Sequence, residues 1–325
     1  MNRATQFAAS FGLRIPILQA PIGSMAGPEL AAAVSAAGGM GALALTWTSP
    51  ENTRRLLAQV RTKTDKPVQA NFVLAFATQS LSAALESGVR VITFSWGMPT
   101  AEISLLRSYG ARFGIQVSTT EGAKRALEIG ADFLICQGVE AGGHVQATQS
   151  LWDVLPTIVA LAQSTPVVAA GGIGNGKAIA SALKMGAAGA MLGTRFIATH
   201  ESLAHESYKR KLVEAGAKDT ALTVCFDRGW PYAAHRVLRN TTLENWEAAG
   251  CPPSGKRPGE GDHLTTDSTG RGFFRYEDTP PHANMVGDVE GMCLYAGMSC
   301  DDVQDIPSAK QLTERLWIQC ENTTE

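Results

Sequence analysis

The feature that most constrains the fold is a regular alternation of short apolar runs and alanine-rich amphipathic segments over the first 195 residues. The apolar runs are nearly continuous, which is typical of strands buried on both faces of a parallel sheet. Glycines such as Gly88, Gly110 and Gly130 end the amphipathic segments, as expected where a helix turns back into a strand. The pattern predicts eight strands, at residues 17–20, 40–44, 68–72, 91–94, 112–117, 133–136, 167–170 and 190–192.

The segments between the strands predict helices, at residues 28–37, 50–61, 80–87, 100–109, 120–129, 151–163 and 176–185. Eight strand–helix units are the number that closes a (β/α)₈ TIM barrel, so the predicted class is α/β. A doubly wound open sheet is the alternative. We favour the barrel because the units follow one another without a segment that resembles a domain linker.

The pattern changes after Arg195. We expect a polar helix at 202–215, a short strand at 225–230, a helix or loop at 230–240, a long loop at 251–272, and helices near 289 and at 309–319. The predicted organisation is a barrel over 1–215, a smaller inserted domain over 216–288 that acts as a lid on the barrel mouth, and a segment over 289–325 that rejoins the barrel. Four aromatic residues of the insertion would form an apolar wall over the site or the insertion's own core: Phe226, Trp230, Tyr232 and Trp246.

Composition excludes several classes of function. The net charge is −2 for 325 residues, which gives no basic face for nucleic acid. No apolar run reaches the roughly 18 residues of a membrane span, and the N-terminus has no signal pattern. The six cysteines lack any Cys-x-x-Cys pair and the six histidines lack metal-ligand spacing, so we expect reduced thiols, no metal and a cytoplasmic protein. The oligomeric state is left open, with a homodimer considered.

The main candidate for catalysis follows the sixth predicted strand. Residues 137–144 read Gln-Gly-Val-Glu-Ala-Gly-Gly-His and end on His144. In a TIM barrel the site lies at the carboxyl ends of the strands, where this stretch would be. Small residues let a backbone approach a flat or phosphorylated ligand, and an imidazole can transfer a proton near neutral pH. A glycine-rich loop with a surface histidine is the alternative.

Two further glycine-rich turns predict a phosphate site. Gly171 and Gly172 follow the seventh predicted strand, and Gly193 and Thr194 follow the eighth. Loops at these two places build phosphate sites in TIM barrels, since glycine amides can point at phosphate oxygens. The run from Gly171 lacks G-x-G-x-x-G spacing, so a dinucleotide fingerprint is not indicated. Glycines that only turn strands into helices are the alternative.

Asn71 and Gln137 are uncharged amides at predicted strand ends, suited to the polar edge of a flavin ring or a ribityl chain. Each could instead be a satisfied buried amide. The sequence has no Ser-His-Asp arrangement or carboxylate pair in a catalytic pattern. A site with one histidine, several amides and a phosphate cradle indicates a cofactor that performs the difficult step.

Taken together, these motifs resemble the nitronate monooxygenase family, formerly called 2-nitropropane dioxygenases, which are FMN-dependent (β/α)₈ barrels. The same motifs occur in the related FMN-dependent enoyl-acyl-carrier-protein reductases and in some flavin NADH:quinone reductases. The resemblance covers nearly the whole chain and rests on residues 19–21, 138–144, 168–173, 186–196 and 295–297.

The resemblance implies that Asn71, Gln137 and Gly142 contact FMN, and that His144 is the catalytic base or substrate-binding group. It places the phosphate end of FMN at Gly172 and at 191–194. The full expected set of cofactor-binding residues is Ala20, Pro21, Asn71, Gln137, Gly142, Gly171, Gly172, Met191, Leu192, Gly193, Thr194 and Ser299. Many relatives have glutamine where this chain has Met298, so an amide is lost there.

The function expected from the resemblance is FMN-dependent oxidation of alkyl nitronates, or neutral nitroalkanes, with O₂ to a carbonyl compound and nitrite. One alternative is an NAD(P)H-dependent flavin reductase acting on a quinone or an enoyl thioester. A second is a flavin-binding barrel without turnover, which His144 argues against because a storage protein needs no titratable group there. The physiological substrate and the use of NAD(P)H are left open.

Overall fold

The computed structural model describes residues 2–324. Its strands, in chain order, are β1 Ile17–Gln19, β2 Gly41–Ala44, β3 Val68–Val73, β4 Val91–Ser95, β5 Arg112–Val117, β6 Phe133–Gln137, β7 Gly143–His144, β8 Val167–Ala170, β9 Gly189–Leu192, β10 Thr220–Thr223, β11 His235–Leu238, β12 His263–Thr266, β13 Gly272–Phe274 and β14 Val286–Gly287. Each of the eight predicted strands is present to within one or two residues.

The helices are α1 Arg3–Ser10, α2 Pro28–Ala36, α3 Pro50–Arg61, α4 Leu81–Glu86, α5 Glu102–Ser108, α6 Thr120–Glu128, α7 Leu151–Ala162, α8 Gly176–Lys184, α9 Thr194–Ile197, α10 Glu206–Glu214, α11 Thr241–Ala248 and α12 Ala309–Thr324. Short 3₁₀ turns lie at Gly23–Met25, Ala217–Asp219, Val289–Gly291 and Met298–Asp302. Within residues 2–324, no helix has the length and apolar character needed to cross a membrane.

Eight of the strands form one parallel sheet in the order β1-β9-β8-β6-β5-β4-β3-β2. The two ends of this order meet, because Leu18 bridges Met40 in parallel. The Met40 amide donates to the Ile17 carbonyl at 3.0 Å, and the Gln19 amide donates to the Met40 carbonyl at 2.9 Å. The sheet is therefore closed, the TIM barrel is confirmed, and the open-sheet alternative is wrong.

Side chains along each barrel strand point alternately outward and inward, which produces two apolar cores, one against the helices and one inside the barrel. Leu134 and Cys136 of β6 pack outward against the helices, whereas Phe133 and Ile135 face the interior. Helix α1 closes the amino-terminal end of the barrel, which the sequence pattern did not predict. Phe7 and Phe11 place their ring centroids 5.8 and 5.3 Å from that of Phe133. The opposite end of the barrel is left for a site.

Beyond the barrel strands, two small antiparallel sheets follow the orders β10-β11-β7 and β13-β12-β14. The predicted strand at 225–230 is wrong, since the strand lies at β10. The segment 230–240 contains β11, and the expected loop at 251–272 contains β12 and the first residue of β13. These strands are short, and their pairing with distant segments, which local patterns do not reveal, fixes them.

The C-terminal part supplies a further outer helix. Helix α12 packs against both α8 and α2, which are the last and first of the helices around the barrel. The expected helix near 289 is only a 3₁₀ turn. The polar helix begins at Glu206 rather than at 202, because the His205 ring accepts a hydrogen bond from the Ser207 amide at 3.1 Å and caps it.

Candidate active site

A cavity of about 590 Å³ opens at the carboxyl ends of the barrel strands. It is lined by strand ends, by the loops that follow them, and by parts of the segment between β10 and β14. The predicted site residues that line it are Ala20, Pro21, Asn71, Gln137, Gly142, His144, Gly171, Gly172, Met191, Gly193, Thr194 and Ser299. Residues 123 positions apart in the sequence, such as Asn71 and Thr194, thus share one chamber.

Leu192 is the predicted site residue that does not line the cavity. Its side chain is 1% exposed and packs in the core between strands and helices. Side chains alternate along β9, so Met191 faces the interior and Leu192 faces outward. Its carbonyl accepts a hydrogen bond from the Ala20 amide at 2.8 Å, which joins β9 to the turn after β1. The Leu192 side chain therefore lies outside the cavity lining, and its expected contact with FMN stays a prediction.

The loop that carries His144 is held at several points. The Glu140 carboxylate accepts hydrogen bonds from the Ser150 hydroxyl at 2.5 Å and from the Leu151 amide at 3.0 Å. Gln137 accepts one from the Gln146 amide at 3.1 Å. The loop also forms β7, which pairs with β11 so that His144 lies opposite His235. These contacts fix the position of the imidazole relative to the barrel.

The His144 imidazole is surrounded by rings. The centroid distances are 4.5 Å to Trp230, 5.4 Å to His235, 5.5 Å to Tyr295 and 6.2 Å to Trp96. Burial, and secondarily the neighbouring His235, lower the pKa of His144 to about 3. Its Nε2 atom is buried and has no hydrogen-bond partner among the described residues. The ring is thus neutral at physiological pH and has a nitrogen that a ligand could satisfy.

His235 is a site neighbour that the sequence analysis missed. Its side chain is fully buried, and its Nδ1 lies 2.8 Å from the Ala233 carbonyl oxygen. Its Nε2 accepts a hydrogen bond from the Phe226 amide at 3.2 Å. The carbonyl contact requires a proton on Nδ1, so the ring is a neutral tautomer, and burial lowers its pKa. Both ring nitrogens therefore make structural hydrogen bonds. Only a correct prediction of β11 would have placed His235 beside His144.

The glycines of the site serve close backbone packing as well as ligand access. Gly171 and Gly172 have φ angles of +105° and +68°. A Cβ at Gly172 would lie 2.8 Å from the Glu140 Cβ, and one at Gly142 would lie 2.4 Å from the Gly297 nitrogen. A Cβ at Gly193, by contrast, would meet ordinary contacts at 3.4 Å or more. The result is a floor of exposed backbone without side chains.

Several polar groups around this floor have defined partners. Both Nδ2 contacts of Asn71 go to Thr93, to its carbonyl at 3.1 Å and its hydroxyl at 3.2 Å, which leaves Oδ1 as an acceptor. Gln137 is engaged with the His144 loop at both ends of its amide. Ser299 is buried and lines the cavity. Met298 is 39% exposed and does not line it, so the side chain lies away from the site.

Arg195, in the short helix α9 after β9, does not line the cavity. Its guanidinium is 2% exposed and donates to the carbonyls of Ala198 and Asp305 and to the Asp305 carboxylate. Its charge therefore joins the barrel to the segment before α12. A bound phosphate would instead rely on the backbone amides of the two glycine turns.

The segment between β10 and β14 contributes lining residues that sequence patterns did not assign to the site. These are Gly229, Arg271, Asp278, Thr279 and Pro280. Burial raises the pKa of the Asp278 carboxyl. Of the four aromatic residues expected to wall the site, only Trp230 lines the cavity. Phe226 and Trp246 belong to the segment's own core, and Tyr232 is 89% exposed.

The donor set of the cavity suits FMN. Two adjacent glycines with positive φ provide the side-chain-free cradle that a phosphate requires. Asn71 offers an amide acceptor, and the buried Nε2 of His144 lacks a partner. Among residues 2–324, no group of three or more histidine, cysteine or acidic side chains is arranged to hold a metal ion.

Comparison with known proteins extends this description. The family model for nitronate monooxygenase matches residues 5–81 and 75–319. A nitronate monooxygenase from Pseudomonas aeruginosa is 31% identical over 76% of this chain and 83% of its own length. A (3aS,4S,5R,7aS)-5-hydroxy-7a-methyl-1-oxo-octahydro-1H-indene-4-carboxyl-CoA dehydrogenase from Mycobacterium tuberculosis is 30% identical over 97% of this chain and 96% of its own.

Solved structures show the same architecture. FabK from Thermotoga maritima superposes with a TM-score of 0.85 at 28% identity, covering 100% of this chain and 97% of that one. A nitroalkane oxidase from Streptomyces ansochromogenes superposes with a TM-score of 0.77 at 28% identity, covering 98% and 99%.

Proposed function

Because this chain belongs to the nitronate monooxygenase family of oxidoreductases, we propose that it binds FMN and oxidises alkyl nitronates, or the parent nitroalkanes, with O₂ to a carbonyl compound and nitrite. The observation that carries the proposal is the position of His144. Its neutral imidazole, with an unpartnered Nε2, borders the cavity that the glycine cradle also lines.

FMN, when bound, takes electrons from the substrate and passes them to O₂. The residues of the protein position the substrate and accept its proton. Glycine amides after β8 and β9 would hold the phosphate, and Asn71 and Gln137 would border the ring system. A neutral His144 can remove the α-proton of a nitroalkane, and it then carries the positive charge that stabilises an adjacent anion. A nitronate, already anionic, needs only to be oriented.

The test is anaerobic reduction of the purified protein. We expect a flavin spectrum, and we expect its absorbance to bleach when ethylnitronate is added without O₂. NADH should reduce it slowly or not at all. A colourless protein that also fails to take up added FMN would contradict the cofactor proposal, and rapid bleaching by NADH with no response to nitronate would contradict the substrate proposal.

A second candidate is an NAD(P)H-dependent flavin reductase that acts on a quinone or an enoyl thioester. The similarity over nearly the full length to a dehydrogenase of a CoA thioester favours it. The same experiment separates the two, because only this reductase is reduced by a nicotinamide cofactor. Reoxidation by a quinone or by an enoyl-CoA would then identify the acceptor.

A further inference from the structure

Four aromatic side chains form a continuous cluster, called here the aromatic wall, on one side of the cavity: Trp47, Phe76, Trp96 and Trp230. Trp47, Trp96 and Trp230 line the cavity, whereas Phe76 joins Trp47 to Trp230 without lining it. The ring centroids of Trp47 and Phe76 are 5.1 Å apart, those of Phe76 and Trp230 are 5.0 Å apart, and those of Trp96 and Trp230 are 4.6 Å apart. Trp230 in turn stacks on His144 at 4.5 Å. This aromatic wall runs from the protein surface to the proposed catalytic group.

The members of the aromatic wall come from successive loops. Trp47 follows β2, Phe76 follows β3 and Trp96 follows β4, and these strands are neighbours in the barrel. The glycine cradle follows β8 and β9, on the opposite side of the closed sheet. The glycine cradle and the aromatic wall therefore lie on different sides of the cavity, with the His144 loop between them.

Two observations indicate that the wall serves more than its own packing. Trp47 lines the cavity and is 58% exposed, although burial of a tryptophan is strongly favourable. Trp96 has a φ of +58°, a conformation that costs a bulky residue free energy and that concentrates at functional sites.

The strained backbone of Trp96 is held by a hydrogen-bond relay. Its amide donates to Gln146 Oε1 at 3.2 Å, and the Gln116 side chain donates to the same oxygen at 3.3 Å. The Gln146 amide donates to Gln137, which borders the predicted flavin position. The ring of Trp96 is thus positioned by the same residues that shape the polar side of the cavity.

We propose that the aromatic wall binds a ring-bearing substrate, aromatic or alicyclic, and packs its ring beside the reacting atoms at His144. The proposal rests on the function proposed above and deepens it. A small alkyl nitronate placed beside Trp230 and His144 would leave the exposed ring of Trp47 without a ligand contact. An apolar ring placed against Trp47, Trp96 and Trp230 would bury part of this aromatic surface.

The experiment measures binding of neutral, unreactive amides to the FMN-saturated protein by titration calorimetry. Benzamide carries a ring, and propionamide does not. We expect benzamide to bind at least about tenfold more tightly than propionamide, since an aromatic contact plus its buried area reaches the free energy that a tenfold change requires. Trp230→Ala should reduce this ratio about tenfold, whereas Trp230→Phe should retain most of it.

Tyr232→Ala is the matched control, because Tyr232 lies two residues from Trp230, is 89% exposed and does not line the cavity. It should leave the ratio unchanged. Trp47→Ala provides a second test at an exposed position where misfolding is not expected, and it should lower the ratio severalfold. Equal binding of the two amides to the wild-type protein, no binding of benzamide, or a ratio unaffected by both tryptophan substitutions would overturn the proposal. This binding measurement does not require nitronate turnover. Failure of the proposed function would instead be seen in the anaerobic reduction experiment.

Discussion

At the scale of single residues, His144 is notable because its surroundings suppress its charge. A histidine in water is half protonated near pH 6.5, but four neighbouring rings and burial remove the water that would solvate an imidazolium. The residue therefore enters the reaction as a base or hydrogen-bonding group rather than as a fixed cation. The nitronate anion that forms when a nitroalkane loses its α-proton would raise the pKa of the imidazole again and so stabilise its protonated form.

Replacing His144 with alanine tests this role. We expect kcat to fall about 100-fold or more, the usual range for loss of an acid–base group, with the larger effect on neutral nitroalkane. FMN affinity should change little, since the glycine cradle lies on other loops. Stopped-flow reduction and a flavin titration measure the two quantities. His263→Ala is the control, because His263 is exposed on β12 and does not line the cavity. Full activity of the His144 variant on both substrates would remove the residue from the mechanism.

The lowered pKa of His144 also predicts how stability varies with pH. In the unfolded chain the group titrates near 6.5, whereas in the folded protein it titrates at about 3. Between these values the unfolded state binds more protons, so the group causes the free energy of unfolding to fall as pH decreases from 6.5 toward 3, with no effect above 6.5. His144→Gln should make the loss between pH 7 and pH 5 smaller, as measured by urea unfolding. An unchanged loss would show that the imidazole charges freely in the folded state.

At the scale of elements, the loops after β8 and β9 are the test of the phosphate cradle. Gly172 is a poor position for mutation, since its φ of +68° and the nearby Glu140 Cβ would strain any side chain. Gly193 is better, because its φ is −109° and an added Cβ meets only ordinary contacts. A substitution at Gly172 would therefore test folding, whereas a substitution at Gly193 would test ligand binding.

Gly193→Asp should weaken FMN binding by about 100-fold or more, because a carboxylate beside a phosphate costs several kcal/mol. Gly193→Ala should bind FMN within a few-fold of the wild-type protein and melt at a similar temperature. Fluorescence titration of FMN gives both affinities, and circular dichroism shows whether each variant is folded. If the folded aspartate variant retains FMN, the phosphate lies elsewhere.

The element scale also shows what the sequence could predict. The barrel strands were found because β-strands buried on both faces leave continuous apolar runs, and glycines mark the ends of the helices between them. The strands β10, β11 and β12 were not predicted because they lie outside the repeating strand–helix pattern, so that pairing with distant segments rather than local pattern fixes them. His235 and Trp230 were consequently not assigned to the correct positions around His144. The glycine turns could be identified from the sequence because each one directly follows a predicted strand.

At the scale of the whole molecule, the barrel is a tube closed at one end. Helix α1 inserts Phe7 and Phe11 beneath Phe133, while the cavity occupies the other end. The residues that stabilise the barrel through α1 and the residues that line the cavity thus lie at opposite ends of the barrel. The apolar runs predicted the barrel strands, but nothing in the local pattern of residues 3–10 showed that this helix would close one end.

This division predicts that the closed end can be weakened without changing the site. Phe7→Ala removes a ring that is 1% exposed and should lower the free energy of unfolding by about 3–5 kcal/mol. FMN affinity and kcat, measured well below the melting temperature, should stay near wild-type values. Thermal unfolding with and without FMN checks both parts. A large loss of FMN affinity in the folded variant would show that the two ends are coupled.

The pairing of β7 with β11 has a consequence for synthesis on the ribosome. The Arg236 side chain donates to the Val139 carbonyl across 97 positions of sequence, and the Gly297 amide donates to Thr194 across 103. A nascent chain that already contains all eight barrel strands still lacks the segments that hold His144 in place. Because such distant contacts form only after translation has passed the later segment, the nascent barrel would pass through a stage with an incomplete pocket, and cofactor capture would be among the last events of maturation.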